Sequence, residues 1–145
     1  MQIKEISTRD DIEKTFHVLQ QIYENLNADG YIDDVLNMIQ RGYKMAQVCE
    51  DKDIDNGRCI GVIGVRIVRK IQFGKMLEIE DFMIDRKKRG IGVGKMMIRW
   101  AEWQAAIFKC DAIVGCLGSK REESQHIFSR EGFSIDGLLF NKKTS

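Results

Sequence analysis

The spacing of apolar residues changes twice along this chain, and the changes divide it into elements. A short alternating start, MQIKEI, predicts a first strand. In STRDDIEKTFHVLQQIYENL (7–26), Ile12, Phe16, Leu19 and Tyr23 recur at helical spacing. Ser7 or Thr8 stands at the cap position, with acidic residues in the first turn. The stretch from Asn27 to Gly30 breaks this helix, and YIDDVLNMIQRGY predicts a second, ended near Gly42. The period then shortens. YKMAQVCED and RCIGVIGVRIV read as strands around KDIDNG, whose Asn56-Gly57 pair predicts an antiparallel hairpin. A turn near Gly74 leads into a further strand, MLEIEDFMI (76–84).

The helical period returns in VGKMMIRWAEWQAAIFK. Val93, Met96, Met97, Trp100, Ala101, Gln104 and Phe108 share one face there. DAIVGCL reads as a short buried strand. SKREESQHIFSREG reads as a helix capped at Ser119 and stopped at Gly132, and FSIDG and LLFNK as closing strands. The order is β-α-α-β-β-β-α-β-α-β-β, an α/β domain with helices flanking a mixed, mostly antiparallel sheet. Without repeats or linker-like segments, residues 1–145 form one expected domain.

Composition narrows the classes. With 145 residues, 43% hydrophobic and 31% charged, the chain is long enough for one core and too apolar for disorder. A net charge of +1 gives no global pull toward nucleic acid or an acidic membrane, and neither is expected as a partner. No apolar run approaches the roughly 20 residues of a membrane span, and MQIKEISTRD lacks a signal-peptide core. A cytoplasmic protein is expected. Cys49, Cys59, Cys110 and Cys116 show no C-x-x-C spacing, and His17 and His126 stand alone, so no metal site is expected. The cysteines read as reduced, semi-buried small hydrophobes, Cys116 as core packing in the fifth strand, and Trp100 and Trp103 as packing residues.

One stretch carries chemistry. In RKKRGIGVGK (86–95) four basic residues precede Gly90, Gly92 and Gly94, between a strand and a helix. A helix N-terminus presents unpaired N–H groups and a favourable dipole, and glycines let an anion approach them. Phosphate is the usual anion. A P-loop fails, because Arg89 and Met96 stand where glycine and Ser/Thr are required. A G-x-G-x-x-G fingerprint fails at Lys95 or Met97.

R-x-x-G-x-G is present from Arg89 to Gly94. With IEDFMID before it and IFSREGF after it, this motif makes the chain resemble the GNAT superfamily of acyl-CoA-dependent N-acetyltransferases. The resemblance covers almost the whole chain and is nearest to the small-amine or amino-acid type. It implies acetyl-CoA as co-substrate. It also implies that Arg89, Gly90, Ile91, Gly92, Val93, Gly94 and Lys95 cradle the pyrophosphate, that Met83 and Ile84 lend main-chain groups to the pantetheine arm, and that Arg121 contacts CoA. Splayed fourth and fifth strands would form the slot. The acceptor would be a small-molecule amine, a peptide N-terminus or a lysine, and a homodimer is compatible with the family.

Two departures from the family stand out. Arg86 takes the place of a frequent proline. Phe128 aligns with the tyrosine that commonly protonates the departing thiolate, and phenylalanine has no proton to give. The attacking amine needs a base. Strand alternation puts Glu78 and Glu80 on one face and Asp81 on the other. Glu80 matches the family's catalytic glutamate; a structural pairing with an arginine such as Arg66 is the equal alternative. The expected function is acetyl transfer to a primary amine by direct attack on the thioester. A CoA-binding regulatory or interaction module that has lost catalysis is the second reading.

Overall fold

A computed structural model describes residues 1–50 and 57–144. The strands are β1 (Gln2–Ile6), β2 (Tyr43–Cys49), β3 (Cys59–Lys70), β4 (Gly74–Ile84) and β5 (Ala112–Gly115). The helices are α1 (Arg9–Leu19), α2 (Tyr31–Gln40), α3 (Val93–Ile107) and α4 (Glu122–Arg130). The strands form one sheet in the order β1-β2-β3-β4-β5. The first three pairings are antiparallel, and β4 with β5 is parallel. The expected turn at KDIDNG lies largely outside the described residues, but β2 and β3 do pair as its hairpin requires.

Two apolar layers sandwich the sheet. On one side Ile79, Phe82 and Ile84 of β4 meet Val93, Met97, Ile98 and Ala101 of α3 and Phe128 of α4. On the other, Met45, Val62 and Met83 meet Ile12, Val18 and Leu19 of α1 and Tyr31 and Val35 of α2. Each helix covers the sheet with the stripe its periodicity predicts. Thr8 caps α1, its hydroxyl accepting the Asp11 N–H at 3.2 Å.

The expected first helix runs to Leu26, whereas α1 stops at Leu19. Tertiary contacts take over there. Gln21 accepts the Arg86 N–H at 3.0 Å, and Tyr23 donates to Asp81 at 2.6 Å. The last helix starts at Glu122 rather than at Ser119. Arg121 occupies its N-cap position, and its side chain reaches across to β4 instead of capping. The order of elements agrees with expectation from β1 through α4. FSIDG and LLFNK, expected as closing strands, form no strand among the described residues. Ile135, Leu138, Leu139 and Phe140 stay exposed, because a strand without a paired neighbour leaves its backbone groups to water. Cys49 and Cys59, expected to be semi-buried, are fully buried. Cys116 falls just past the end of β5 and is exposed, and Trp103, 62% exposed, lies off the buried stripe of α3.

Gln47 is fully buried in β2, and neither amide atom finds a hydrogen-bond partner among the described residues. Burying an unbonded amide costs about 1–3 kcal/mol on protein mutational scales. Gln47→Met keeps the length of the side chain and removes both polar atoms. It is expected to raise the melting temperature; a lower value would mean that the amide is bonded in the folded protein, through water.

Candidate functional site

The site is built where β4 outruns β5. The two strands pair only from Met76 opposite Ala112 to Ile79 opposite Gly115. Beyond Ile79, β4 continues to Ile84 against β3 alone, so a wedge opens on its β5 side. At the mouth of the wedge β4 is bulged. Gly64 pairs with Asp81 and Val65 with Ile79, leaving Glu80 as the extra residue.

The bulge reverses the alternation. Leu77 and Ile79 face α3, and after the bulge Phe82 and Ile84 do so too. Asp81 therefore does not point away from Glu80 as simple alternation expects. Its partners, Tyr23 and Tyr43, lie on the α1/α2 side, as does Met83. Tyr23 donates to Asp81 Oδ1 and Tyr43 to Oδ2, each at 2.6 Å. Burial above all, then the Asp81 charge, pushes both tyrosine hydroxyls well above the usual range, so both remain donors. Tyr43 is buried and Tyr23 is 39% exposed. Arg66 Nε donates to Glu80 Oε1 at 2.9 Å, while Arg66 Nη1 bonds the Arg41 carbonyl. Among the described residues Glu80 Oε2 takes no hydrogen bond.

Gly64 makes room for this arrangement. A Cβ there would lie 1.6 Å from the Tyr43 hydroxyl, so the Tyr43 ring crosses directly over the glycine to reach Asp81. Sequence reasoning missed Tyr23, Tyr43 and Gly64. A glycine inside an apolar strand often marks such a close approach, and GVIGVRI carries two.

Arg121 sits inside the wedge. Its Nη2 donates to the Phe82 carbonyl and to Ser124 Oγ at 3.0 Å, and lies 3.8 Å from Met83 Sδ. Burial draws its pKa below the ordinary arginine value. Phe128 is buried beneath, with its ring edge-on to Phe82 at 5.0 Å. It covers Gly115, where a Cβ would come 2.5 Å from the ring. Met83 and Ile84 are the β4 residues past the β5 pairing, with their side chains buried on opposite faces.

The glycine stretch follows β4. Asp85 is buried and caps the 3-10 turn Arg86–Lys88 by accepting the Lys87 N–H at 3.1 Å. Burial works most strongly against its charge. The Lys87 N–H, the Gln21 amide and the Arg58 charge together outweigh that and hold the carboxyl below its ordinary range. Gly90 and Gly92 have φ of 79° and 93°, and Gly92 is the N-cap of α3 with no side-chain cap bond. Ile91 and Lys95 are exposed, while Val93 turns its side chain into the core. Gly94 serves packing instead, since a Cβ there would meet Ile127 Cδ1 at 2.7 Å and Ile84 Cδ1 at 3.2 Å. The basic run is not a free patch. Arg86 bonds the Gln21 carbonyl, Lys88 pairs with Glu50 at 2.9 Å and Arg89 with Glu123 at 2.5 Å.

A groove of about 580 Å³ lies elsewhere, between α3 and the β1–β2 edge, lined by Ile3, Lys44, Trp100, Trp103 and Phe108. It holds none of the residues above. Among the described residues no cluster of His, Cys, Asp and Glu could hold a metal ion, and no helix is long and apolar enough to cross a membrane.

In this α/β protein an uncapped helix N-terminus behind left-handed glycines lies beside the place where the two parallel strands stop pairing. The acetyltransferase (GNAT) family model matches residues 12–133, and the chain belongs to that family. No curated protein matches it. Among the solved structures that share the fold are three from different sources. A Trypanosoma brucei acetyltransferase is 20% identical with a TM-score of 0.80, covering 98% of each chain. A transcriptional regulator from Bacillus halodurans C-125 is 19% identical with a TM-score of 0.81, covering 97% of this chain and 99% of its own. Aminoglycoside N-acetyltransferase AAC(6')-Iy in complex with CoA is 16% identical with a TM-score of 0.82, covering 99% of this chain and 95% of its own.

Proposed function

We propose that this chain transfers an acetyl group from acetyl-CoA to a primary amine by direct attack on the thioester. The observation that carries the reading is that the Glu80 bulge and the end of the β4–β5 pairing fall together in the second half of β4, with the α3 cradle following that strand. The residues fit the co-substrate. The N–H groups of Val93, Gly94 and Lys95 head α3 without a capping side chain, and Gly90 and Gly92 adopt backbone that bare glycine favours. Ile84 turns its main-chain groups to the β5 side, where the pantetheine arm would lie, as Phe82 does; Met83, expected to share that role, is instead bonded to Val62 of β3. Arg121 would leave the Phe82 carbonyl as the arm enters, and Arg89 and Lys95 would face the phosphates. Bound there, acetyl-CoA supplies an activated acetyl thioester.

The acceptor would come from the α1/α2 side. Glu80 and Asp81 both face that side, and their charge favours an ammonium group arriving there. An amine is mostly protonated near neutral pH and must lose a proton before it attacks. Glu80 Oε2 is the free acceptor, with Arg66 on Oε1 fixing the carboxylate plane. Asp81 is a positioning residue: it anchors Tyr23, whose exposed ring would border the acceptor. Phe128 packs under the slot and donates nothing. A simple thiol has a pKa of about 8.5, so little protonation of the leaving sulfur is needed.

Glu80→Gln keeps the shape and removes the base. Turnover is expected to fall by roughly 10²-fold or more while acetyl-CoA affinity holds. The assay is thiol release against small amines, amino acids, polyamines, peptide N-termini and lysine side chains. Unchanged turnover would assign Glu80 to structure alone. The second reading, a CoA-binding module without catalysis, draws on Phe128 and on the Arg66–Glu80 pair. It holds if acetyl-CoA binds and no amine releases thiol.

A further inference from the structure

The bulge in β4 leaves an ion pair with unused bonding capacity on the α1/α2 side of the sheet. Arg66 of β3 stands opposite Glu78 in the ladder, yet Glu78 pairs with Lys70 at 3.9 Å and Arg66 with the bulged Glu80 at 2.9 Å. The Arg66 guanidinium is held on three sides. Nε donates to Glu80 Oε1, Nη1 donates to the Arg41 carbonyl at 3.0 Å, and the group lies 5.7 Å from the centroid of the Tyr43 ring. A guanidinium has five N–H donors, so most of its capacity is left over. Among the described residues Arg66 Nη2 and Glu80 Oε2 make no hydrogen bond. The two side chains are 25% and 26% exposed, open enough to be reached and shielded enough for charge to count.

Asp81 offers no second ammonium site, since each of its oxygens already holds a tyrosine hydroxyl. A ligand at Glu80 Oε2 therefore meets a fixed anion with a fixed cation beside it. A polyamine would bring a further positive charge toward Arg66, and like charges side by side cost binding. An α-amino acid brings the opposite charge to each partner. Its ammonium nitrogen and carboxylate oxygens are roughly 3 Å apart, the scale of the 2.9 Å between Arg66 Nε and Glu80 Oε1.

We propose that the acceptor is a free α-amino acid, its ammonium on Glu80 Oε2 and its carboxylate on Arg66 Nη2, with Arg66 setting the specificity. This rests on the acyl-transfer reading and narrows it. The ammonium loses two protons in all, the first to Glu80. Its nitrogen pair forms the C–N bond, the C–S bond breaks with its electron pair on sulfur, and the thiolate regains one proton. An N-acetyl amino acid, the CoA thiol and one proton leave.

Thiol release with a panel of free α-amino acids, the α-amides of the same amino acids and spermidine tests it. Amidation removes the carboxylate and leaves an amine that deprotonates more readily, so intrinsic reactivity alone would favour the amides. The best free amino acid is instead expected to exceed its amide in kcat/KM by roughly 10- to 100-fold, the worth of a hydrogen bond between charged groups. Arg66→Gln should lose most of that preference, and Arg66→Lys, which keeps the charge without the planar fork, should keep part of it. Loosening of Glu80 would slow acid and amide alike, so the ratio isolates recognition of the carboxylate. An unchanged ratio in the folded variants overturns the proposal. So does a wild type that prefers the amides or spermidine, a comparison that needs neither variant. Calorimetry on the CoA-loaded protein reads the same preference without turnover. A free amino acid bound more tightly than its amide, with no thiol released by any amine, upholds the Arg66–Glu80 site and overturns acyl transfer. Thiol release by amines without a carboxylate, with no free amino acid bound or acetylated, does the reverse.

Discussion

Gly64→Ala is expected to lower the melting temperature and turnover together, by displacing the buried Tyr43 ring that crosses the glycine. The new Cβ would lie 1.6 Å from the Tyr43 hydroxyl, 2.3 Å from Cζ and 2.7 Å from Cε1. Three atoms of a rigid side chain are in the way, so no small torsion relieves the overlap. Tyr43 is 1% exposed and has no solvent to move into. Overpacking of this kind costs about 1–3 kcal/mol. The Tyr43–Asp81 hydrogen bond would break as the ring moves, freeing the carboxylate that also holds Tyr23. Turnover should fall by roughly 10-fold or more if Asp81 must be fixed for the acceptor to seat. Tyr43→Phe separates the two effects, because it deletes the hydroxyl and keeps the ring. It should lose turnover with a smaller loss of stability. Wild-type melting and wild-type turnover in Gly64→Ala would refute the crossing of the ring over the glycine.

Gly92→Val is expected to weaken acetyl-CoA binding and to lower the melting temperature by several degrees. Gly92 has φ of 93°, a conformation that a β-branched residue adopts only under strain. Strain of this kind costs about 1–3 kcal/mol, which is roughly 10- to 100-fold in affinity if the cradle relaxes to avoid it. The site is exposed, and an added Cβ would meet only Met1 Cε, at 3.8 Å. The fold loses no packing there and bears only the backbone strain. Gly94→Ala is the opposite case. Its Cβ would collide with Ile127 and Ile84, so its first effect is on the packing of α3 against α4 and β4. Arg89→Ala should weaken binding less than Gly92→Val, because the Arg89 side chain is already held by Glu123 and the backbone cradle remains. Calorimetry with acetyl-CoA, beside thermal melts, separates the three. Full affinity in folded Gly92→Val would remove the glycine stretch from the cofactor site.

What the chain determined by itself is what local spacing can encode. The α3 face was legible because seven positions repeat at helical period, and Val93, Met97, Trp100, Ala101 and Gln104 are indeed buried. The glycine stretch was legible because backbone conformation at Gly90 and Gly92 is a local demand that residue type answers directly. The order of elements up to α4 followed from the same local rules. The Glu80 bulge did not, since an extra residue in a ladder exists only relative to the partner strand. It turned Asp81 to the face of Tyr23 and Tyr43, residues 58 and 38 positions away. Arg66 on Glu80, Arg121 in the wedge and the early end of α1 likewise depend on long-range contacts. FSIDG and LLFNK show the same limit from the other side. Their composition is that of strands, but a strand forms only where it pairs, and these residues stay off the open edge of β5.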